Sequence, residues 1–445
     1  MRKFFLLLVA VVAAAFSSQA QTYVHQVFIL NEGRFDYINN VQAVPVTVGS
    51  YVPQISVYNE FATISNARFA TDLVVTDNYF YVAADSFLIK YDKNSLQELD
   101  QQIVYGIRKM AIADGKIVVT RGDYLGLLSS YAQVYDEATL ELLYEISTDA
   151  AGIEYSTSDL AIIDGKAYIA VNNGFSFPFT PVGYLVVLDL NSETIVDQID
   201  LGANGLNPEN VMLNGNQIFT LNNNDYGTSS ISTIDATINS SQTTLLSLVS
   251  GCGSSMNLGD DVFYQAMYDP NEITSKNLGR FNTPAQSTID TLFMNRTIYG
   301  MAADSLNNLI YVAETDYTSY GLIVVYDENG ILHDAFAANV SPGTIAFDLR
   351  EGNANSVSQI TDQMELMVSP NPFVQNISVV AKNITADEIS IRVMNVIGEE
   401  IYSKIISGHG ENIYQPINLS WLSSGIYFVE LRQGDDQIIQ RVVKQ

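Results

Sequence analysis

The chain has 445 residues, is 47% hydrophobic and 16% charged, and carries a formal net charge of −28 at pH 7. That length and hydrophobicity allow two or three packed domains and exclude a disordered acidic polymer. A surface this negative repels phosphate backbones and anionic lipid, which argues against nucleic acid and membrane surfaces as partners.

The amino end reads as a secretory signal. Arg2 and Lys3 are charged, Phe4 to Phe16 is apolar, and Ser18-Gln19-Ala20 is a small-residue cleavage site. Residues 1–20 are therefore expected to be removed between Ala20 and Gln21. The apolar run is too short to cross a bilayer, and no later stretch has the length and apolarity of a transmembrane helix. Cys252 is the only cysteine, so an exported chain has no internal disulfide. Flanked by Gly251 and Gly253, it reads as a small core residue.

The acidity is uneven. Residues 22–363 hold 13 basic and 40 acidic groups, whereas residues 364–445 hold 6 and 9. The first of these segments is a repeat. Short β-branched and aromatic runs follow turn signals at Asp77-Asn78, Asp114-Gly115, Asp164-Gly165, Asn214-Gly215, Gly259-Asp260 and Asn307-Asn308. Asp-Gly and Asn-Gly favour tight hairpins because both central residues need positive φ. A second run in most units closes on Asn59, Asp92, Asp136, Asp189, Asp235 or Asp327. These side chains are expected to bond backbone two residues on, as turn formers rather than catalysts.

The turn markers lie 37 to 50 residues apart, near the length of a four-stranded propeller blade. Val27 to Asn31 matches a second strand without a first, and Thr344 to Phe347 a first strand without a second. Joined, they complete a seventh blade and leave no open edge. Residues 21–350 thus resemble the YncE-like, YVTN-repeat family of seven-bladed β-propellers, particularly its exported branch beginning Val27-Phe28-Ile29-Leu30-Asn31-Glu32-Gly33.

Residues 351–363 are polar and free of aromatics and read as a linker. From Met364 to Gln445 about seven short alternating runs predict a small Ig-like β-sandwich. Trp421 is assigned to its core. Pro370-Asn371-Pro372-Phe373, a turn at Gly398, the Gly425-Ile426-Tyr427 strand and a basic end at Lys444 occur in order. This segment resembles the type A C-terminal sorting domain of type IX secretion cargo. The resemblance implies recognition by that secretion machinery and delivery to the outer surface or the medium. It also implies frequent cleavage and attachment to an anionic polysaccharide.

The loops after the second strand of each blade hold the ligand candidates. They are Asn31, Glu32 and Arg34; Arg121, Asp123 and Tyr124; Asn172, Asn173 and Phe175; Asn222, Asn223, Asp225 and Tyr226; and Glu314, Asp316 and Tyr317. Amides beside aromatics suit a glycan or a peptide. The alternative is that they form turns and cover blade tops. Arg121-Gly122-Asp123 is read as a chance tripeptide. Oxygens of Asn222 to Asp225 could hold Ca²⁺, but no D-x-D-x-D-G loop is present, and no cofactor is expected. His25, His333 and His409 are too scattered for a metal site, and no G-x-S-x-G occurs. The sequence thus predicts an all-β, exported, monomeric, non-catalytic binding module. A lyase- or lactonase-type propeller enzyme and a structural surface-layer component are the alternatives.

Overall fold

The structure is a computed structural model. It describes residues 21–445 apart from 124–125, 150, 175–179, 226, 252, 268–275, 296–297, 353–363, 408–411 and 435. The expectations for the signal segment with Ala20, for Tyr124, Phe175, Tyr226, Cys252 and His409, and for most of the linker fall outside these residues. Among the described residues there is no α-helix.

Up to Gly352 the chain forms four-stranded antiparallel sheets in sequence order, a propeller-like arrangement. Their innermost strands are Ala70–Val75, Ile107–Ala113, Thr157–Ile163, Pro208–Asn214, Ser255–Leu258, Gly300–Asp304 and Pro342–Gly352. Each packs on the next, and Pro342–Gly352 packs on both Gly300–Asp304 and Ala70–Val75, so the series closes. The closing sheet joins Pro342–Gly352 to Gln21–Asn31, Val46–Val52 and Val57–Ile64, as the unmatched ends of the repeat require. Apolar clusters fill the space between neighbouring sheets all the way round. One, from Phe28 and Leu30 to Phe80 and Tyr91, joins the closing sheet to the next. Another, from Val27 and Tyr51 to Ile323 and Phe336, joins it to the sheet before.

Local turn chemistry explains the sheets. Asp114 and Gly115 have φ of 52° and 73°, and Asp164 and Gly165 have 47° and 72°, the double positive φ that Asp-Gly supplies. The repeated aspartates are turn formers. Asp92 accepts from the N–H of Asn94 and Ser95 at 3.0 and 2.7 Å, and Asp136 from those of Ala138 and Thr139 at 3.0 and 2.8 Å. Asp189 does the same with Asn191 and Ser192, both at 2.9 Å.

The C-terminal residues form two further sheets on one core. Glu365–Ser369, Asn376–Lys382 and Ile413–Asn418 make the first, and Glu400–Ser407, Glu388–Asn395, Gly425–Gln433 and Asp436–Lys444 the second. Phe373, Ile391, Leu419 and Val429 are buried between them. Trp421 is not in this core: its side chain is 62% exposed, and Leu419 takes the interior place. Gly398 is in a turn with φ of 81°, whereas Gly425 opens a strand and needs no positive φ.

Candidate functional site

The ring axis is lined by charge, and β-bulges put it there. The pairing of four consecutive innermost strands with their neighbours slips between Ala70 and Asp72, Ile107 and Met110, Thr157 and Leu160, and Pro208 and Asn210. A bulge breaks the alternation of faces, so neighbouring residues can reach the same side. Thr71, Arg108, Lys109, Ser158, Glu209 and Asn210 consequently border one cavity of roughly 340 Å³, together with Glu32 and Tyr299.

These groups also stitch the sheets together. Asp72 accepts from Met110 N–H at 2.7 Å, and Asp159 from Val211 N–H at 2.8 Å, each on the following or nearby innermost strand. Lys109 Nζ lies 3.3 Å from Asp72, and Arg108 lies 3.3 Å from Glu209 while donating to Thr157 O at 2.6 Å. Burial works against the Lys109 ammonium, but Asp72 and Asp159 outweigh it and hold its pKa above the usual range. Burial pushes Asp159 up to about 6 and also raises Glu209, with Lys109 and Arg108 respectively limiting the rise.

Glu32 enters the cavity from the loop after Gln21–Asn31. Its neighbour Gly33 has φ of 69°, and a Cβ there would lie 2.3 Å from Val44 O, so this turn requires glycine. The Glu32 N–H donates to Ser341 O at 2.9 Å, and Tyr299 OH donates to its carboxylate. Tyr317 meets Tyr299 edge-on at 5.1 Å. Burial raises the Glu32 carboxyl to about 7, opposed by the Tyr299 bond and the charge of Lys109. Such a carboxyl keeps its proton in the folded chain after the unfolded chain, at about 4.5, has lost it. Its stability contribution is therefore full below pH 4.5 and lost as pH rises through 7. Glu32→Gln is expected to flatten this part of the stability–pH curve by on the order of 1–3 kcal/mol, read by urea titration at several pH values.

The other loop residues go elsewhere. Asn31 is buried and donates to Thr47 Oγ1 and Tyr58 OH at 3.2 and 3.0 Å. Arg34 is exposed in a small hairpin of Arg34–Asp36 with Val41–Val44. Arg121 is buried and donates to the carbonyls of Tyr105 and Ser130, both at 2.8 Å, and Asp123 accepts from Tyr131 OH at 2.7 Å. Asn172 is buried with Oδ1 facing Gly174 N–H at 3.1 Å, and Asn173 donates to Thr180 O at 2.8 Å. Asn222 is buried between Ser230 and Ser232 Oγ, and Asn223 accepts from Ser229 Oγ at 3.2 Å. Asp225 and Asp316 accept backbone N–H groups of their own turns. Glu314 accepts from Tyr414 OH of the C-terminal unit. Of the proposed face, Glu32 borders the cavity and Tyr317 stands behind Tyr299.

The charged lining, absent from the loop candidates, has a faint signal in the sequence: Thr71-Asp72-Leu73, Arg108-Lys109-Met110 and Ser158-Asp159-Leu160 recur at one phase, in the strand preceding the hairpin turn.

In the C-terminal unit, the two ends of the motif are one structure. Asn371 Nδ2 donates to Arg441 O, and its Oδ1 accepts from Val443 N–H, both at 2.9 Å. Phe373 N–H donates to Val443 O and Gln445 N–H to Phe373 O, again at 2.9 Å. The Phe373 ring is fully buried, with Lys444 Nζ 5.9 Å from its centroid. Tyr427 OH donates to Ser423 O at 2.8 Å. Residues 367–445 match the family described as secretion system C-terminal sorting domain.

This unit is a secretion sorting domain. The sorting domain assigns the protein to type IX export, to the cell surface or the extracellular space. It also implies contact with that secretion machinery. No curated protein matches the chain. Among solved structures, a hypothetical selenium-binding protein from Sulfolobus tokodaii is similar, with TM-score 0.56 and 8% identity over 75% of this chain and 95% of that one. BamB from Moraxella catarrhalis aligns with TM-score 0.44 and 11% identity over 82% of this chain and 94% of that one. At such identities the likeness concerns fold alone. No helix among the described residues is long and apolar enough to cross a membrane.

Proposed function

We propose that the mature protein is an exported seven-bladed propeller of the YncE-like, YVTN-repeat kind, which binds a small polar ligand such as a glycan or peptide without turning it over. In this reading residues 21–350 are the binding module, 351–363 the linker, and 364–445 an Ig-like sandwich that directs export. The supporting observation is the cavity on the ring axis, bordered by polar groups of both signs from consecutive innermost strands. Its size suits a compact ligand, and convergent polar groups are what fix a ligand's orientation.

A second reading rests on Glu32. A carboxyl that exchanges its proton near neutrality beside a phenol is equipped for acid–base catalysis. Glycan and peptide arrays probed with the mature chain separate the two readings. Binding without turnover, weakened by Glu32→Gln and Arg108→Ala, supports the first. Turnover of a bound array member supports the second, and binding insensitive to both substitutions places the ligand away from the axis.

A further inference from the structure

The sorting domain does not hang free of the ring. It sits where the ring is sealed. The last sheet before closure, containing Leu309–Glu314, Tyr320–Asp327 and Leu332–Val340, meets the closing sheet along an apolar seam. There the Tyr51 and Phe336 rings stack at 3.9 Å and 9°. Met367, on the first strand of the sorting domain, packs against this seam and also against the cluster between the last sheet and the one before it. Val380 of the sorting domain is buried in that second cluster, 1% exposed.

Polar contacts repeat the pattern. The Asp334 carboxylate accepts from Tyr51 OH of the closing sheet and pairs with Lys382 Nζ of the sorting domain. Both members of that pair keep under a fifth of their side chains in water. Glu314 accepts from Tyr414 OH and, at 3.3 Å, from Ser378 Oγ. Asn412 Nδ2 donates to His333 O at 2.7 Å. One carboxylate, Asp334, is thus bonded at once by the first-made end of the ring, through Tyr51, and by the sorting domain.

We propose that the sorting domain is a latch at the seam, seated on the last sheet beside the closing sheet, and that this seat retains it after the linker is cut. The linker supplies a high effective concentration while the chain is whole, so even a modest interface stays formed. After cleavage only the seat remains. Its apolar plugs, Met367 and Val380, and its shielded ion pair make a specific contact rather than a solvated one. Removal of the sorting domain then requires release as well as hydrolysis, and release uncovers Asp334 and the seam.

The experiment places a protease site within residues 353–363 of the otherwise intact mature chain. After cutting, size-exclusion chromatography with mass detection reads whether the two pieces travel together. Co-elution is expected. Lys382→Glu sets a like charge against Asp334 and is expected to weaken retention at least about tenfold. Tyr414→Phe, which keeps the ring and removes the bond to Glu314, serves as the milder variant should Lys382→Glu disturb folding. Hydrogen exchange in Val46–Val52 is expected to speed up once the domain has left. Separation of the wild-type pieces at every concentration overturns the proposal. So does retention unaffected by both variants, and so does seam exchange unchanged on release.

Discussion

Deletion of residues 364–445 is expected to reduce the protein at the cell surface and in the medium to background and to leave it inside the outer membrane. Cell fractionation and surface protease treatment read the outcome, and normal surface delivery of the truncated chain would contradict it. The expectation follows from where the sorting motif lies in space. Asn371 spans Arg441 O and Val443 N–H on the free edge of the terminal strand. Phe373 is pinned to Val443 and Gln445 by its backbone and to the core by its ring. The motif at the start of the domain and the basic strand at its end therefore form one feature, destroyed by loss of either half. Smaller changes grade the effect. Phe373→Ala leaves a cavity in a small core and should cost about 3–5 kcal/mol, enough to unfold much of the domain. Asn371→Ala removes two hydrogen bonds and spares the core. Export should fall far more for the first than for the second.

Asp348→Ala is expected to cost about 3–5 kcal/mol of ring stability, because it strands a buried charge. Asp348, on the closing strand, is fully buried and 2.8 Å from Lys93 Nζ, itself 5% exposed, at the turn of the neighbouring sheet. Gln26 Nε2 donates to it at 3.0 Å and Arg350 at 2.7 Å. One carboxylate therefore ties together both ends of the repeat and the next sheet. Without it, Lys93 stays in a low-dielectric site with its partner gone. Urea unfolding followed by far-UV circular dichroism measures the loss, and a change under 1 kcal/mol would refute the account. The pH dependence carries a second signature. Burial opposes the charged form of Asp348, but the Arg350, Lys93 and Gln26 bonds outweigh it and hold its pKa below the usual range. Its contribution is present above the ordinary aspartate range and lost as pH falls through the lower folded value. Asp348→Asn should therefore blunt the acid limb of the stability curve. Glu32 acts at the other end of the same curve, with opposite sign.

What could be read from the sequence was what nearby residues decide. Positive φ at Asp114-Gly115 and Asp164-Gly165, and the side-chain caps at Asp92, Asp136 and Asp189, are settled within a few residues. The repeat followed from them. So did the sharing of the closing sheet between the two ends of the repeat, since each end lacked what the other had. The sorting motif was legible for the same reason: its residues are fixed in type and order. Side-chain direction was not legible. Asn31, Arg121 and Asn222 look like ligand-facing loop groups, yet burial turns them inward to bond backbone and neighbouring side chains. Trp421 looks like core, yet the turn after Ile413–Asn418, tied by Leu419 N–H to Gln375 O, seats Leu419 there instead.

Residue types and their order were enough for the strands, their hairpins, the pairing of the two ends of the repeat and the destination of the protein. Which charges meet on the axis, and where the sorting domain rests, follow from contacts between residues far apart in the chain. Arg108 and Lys109 reach the cavity because a register slip lets neighbours share a face, and that slip depends on the adjoining strand. Lys382 and Asp334 stand 48 residues apart in the chain, and Tyr51 of the closing sheet bonds the same carboxylate, so three parts of the fold meet at one side chain that no local pattern marks.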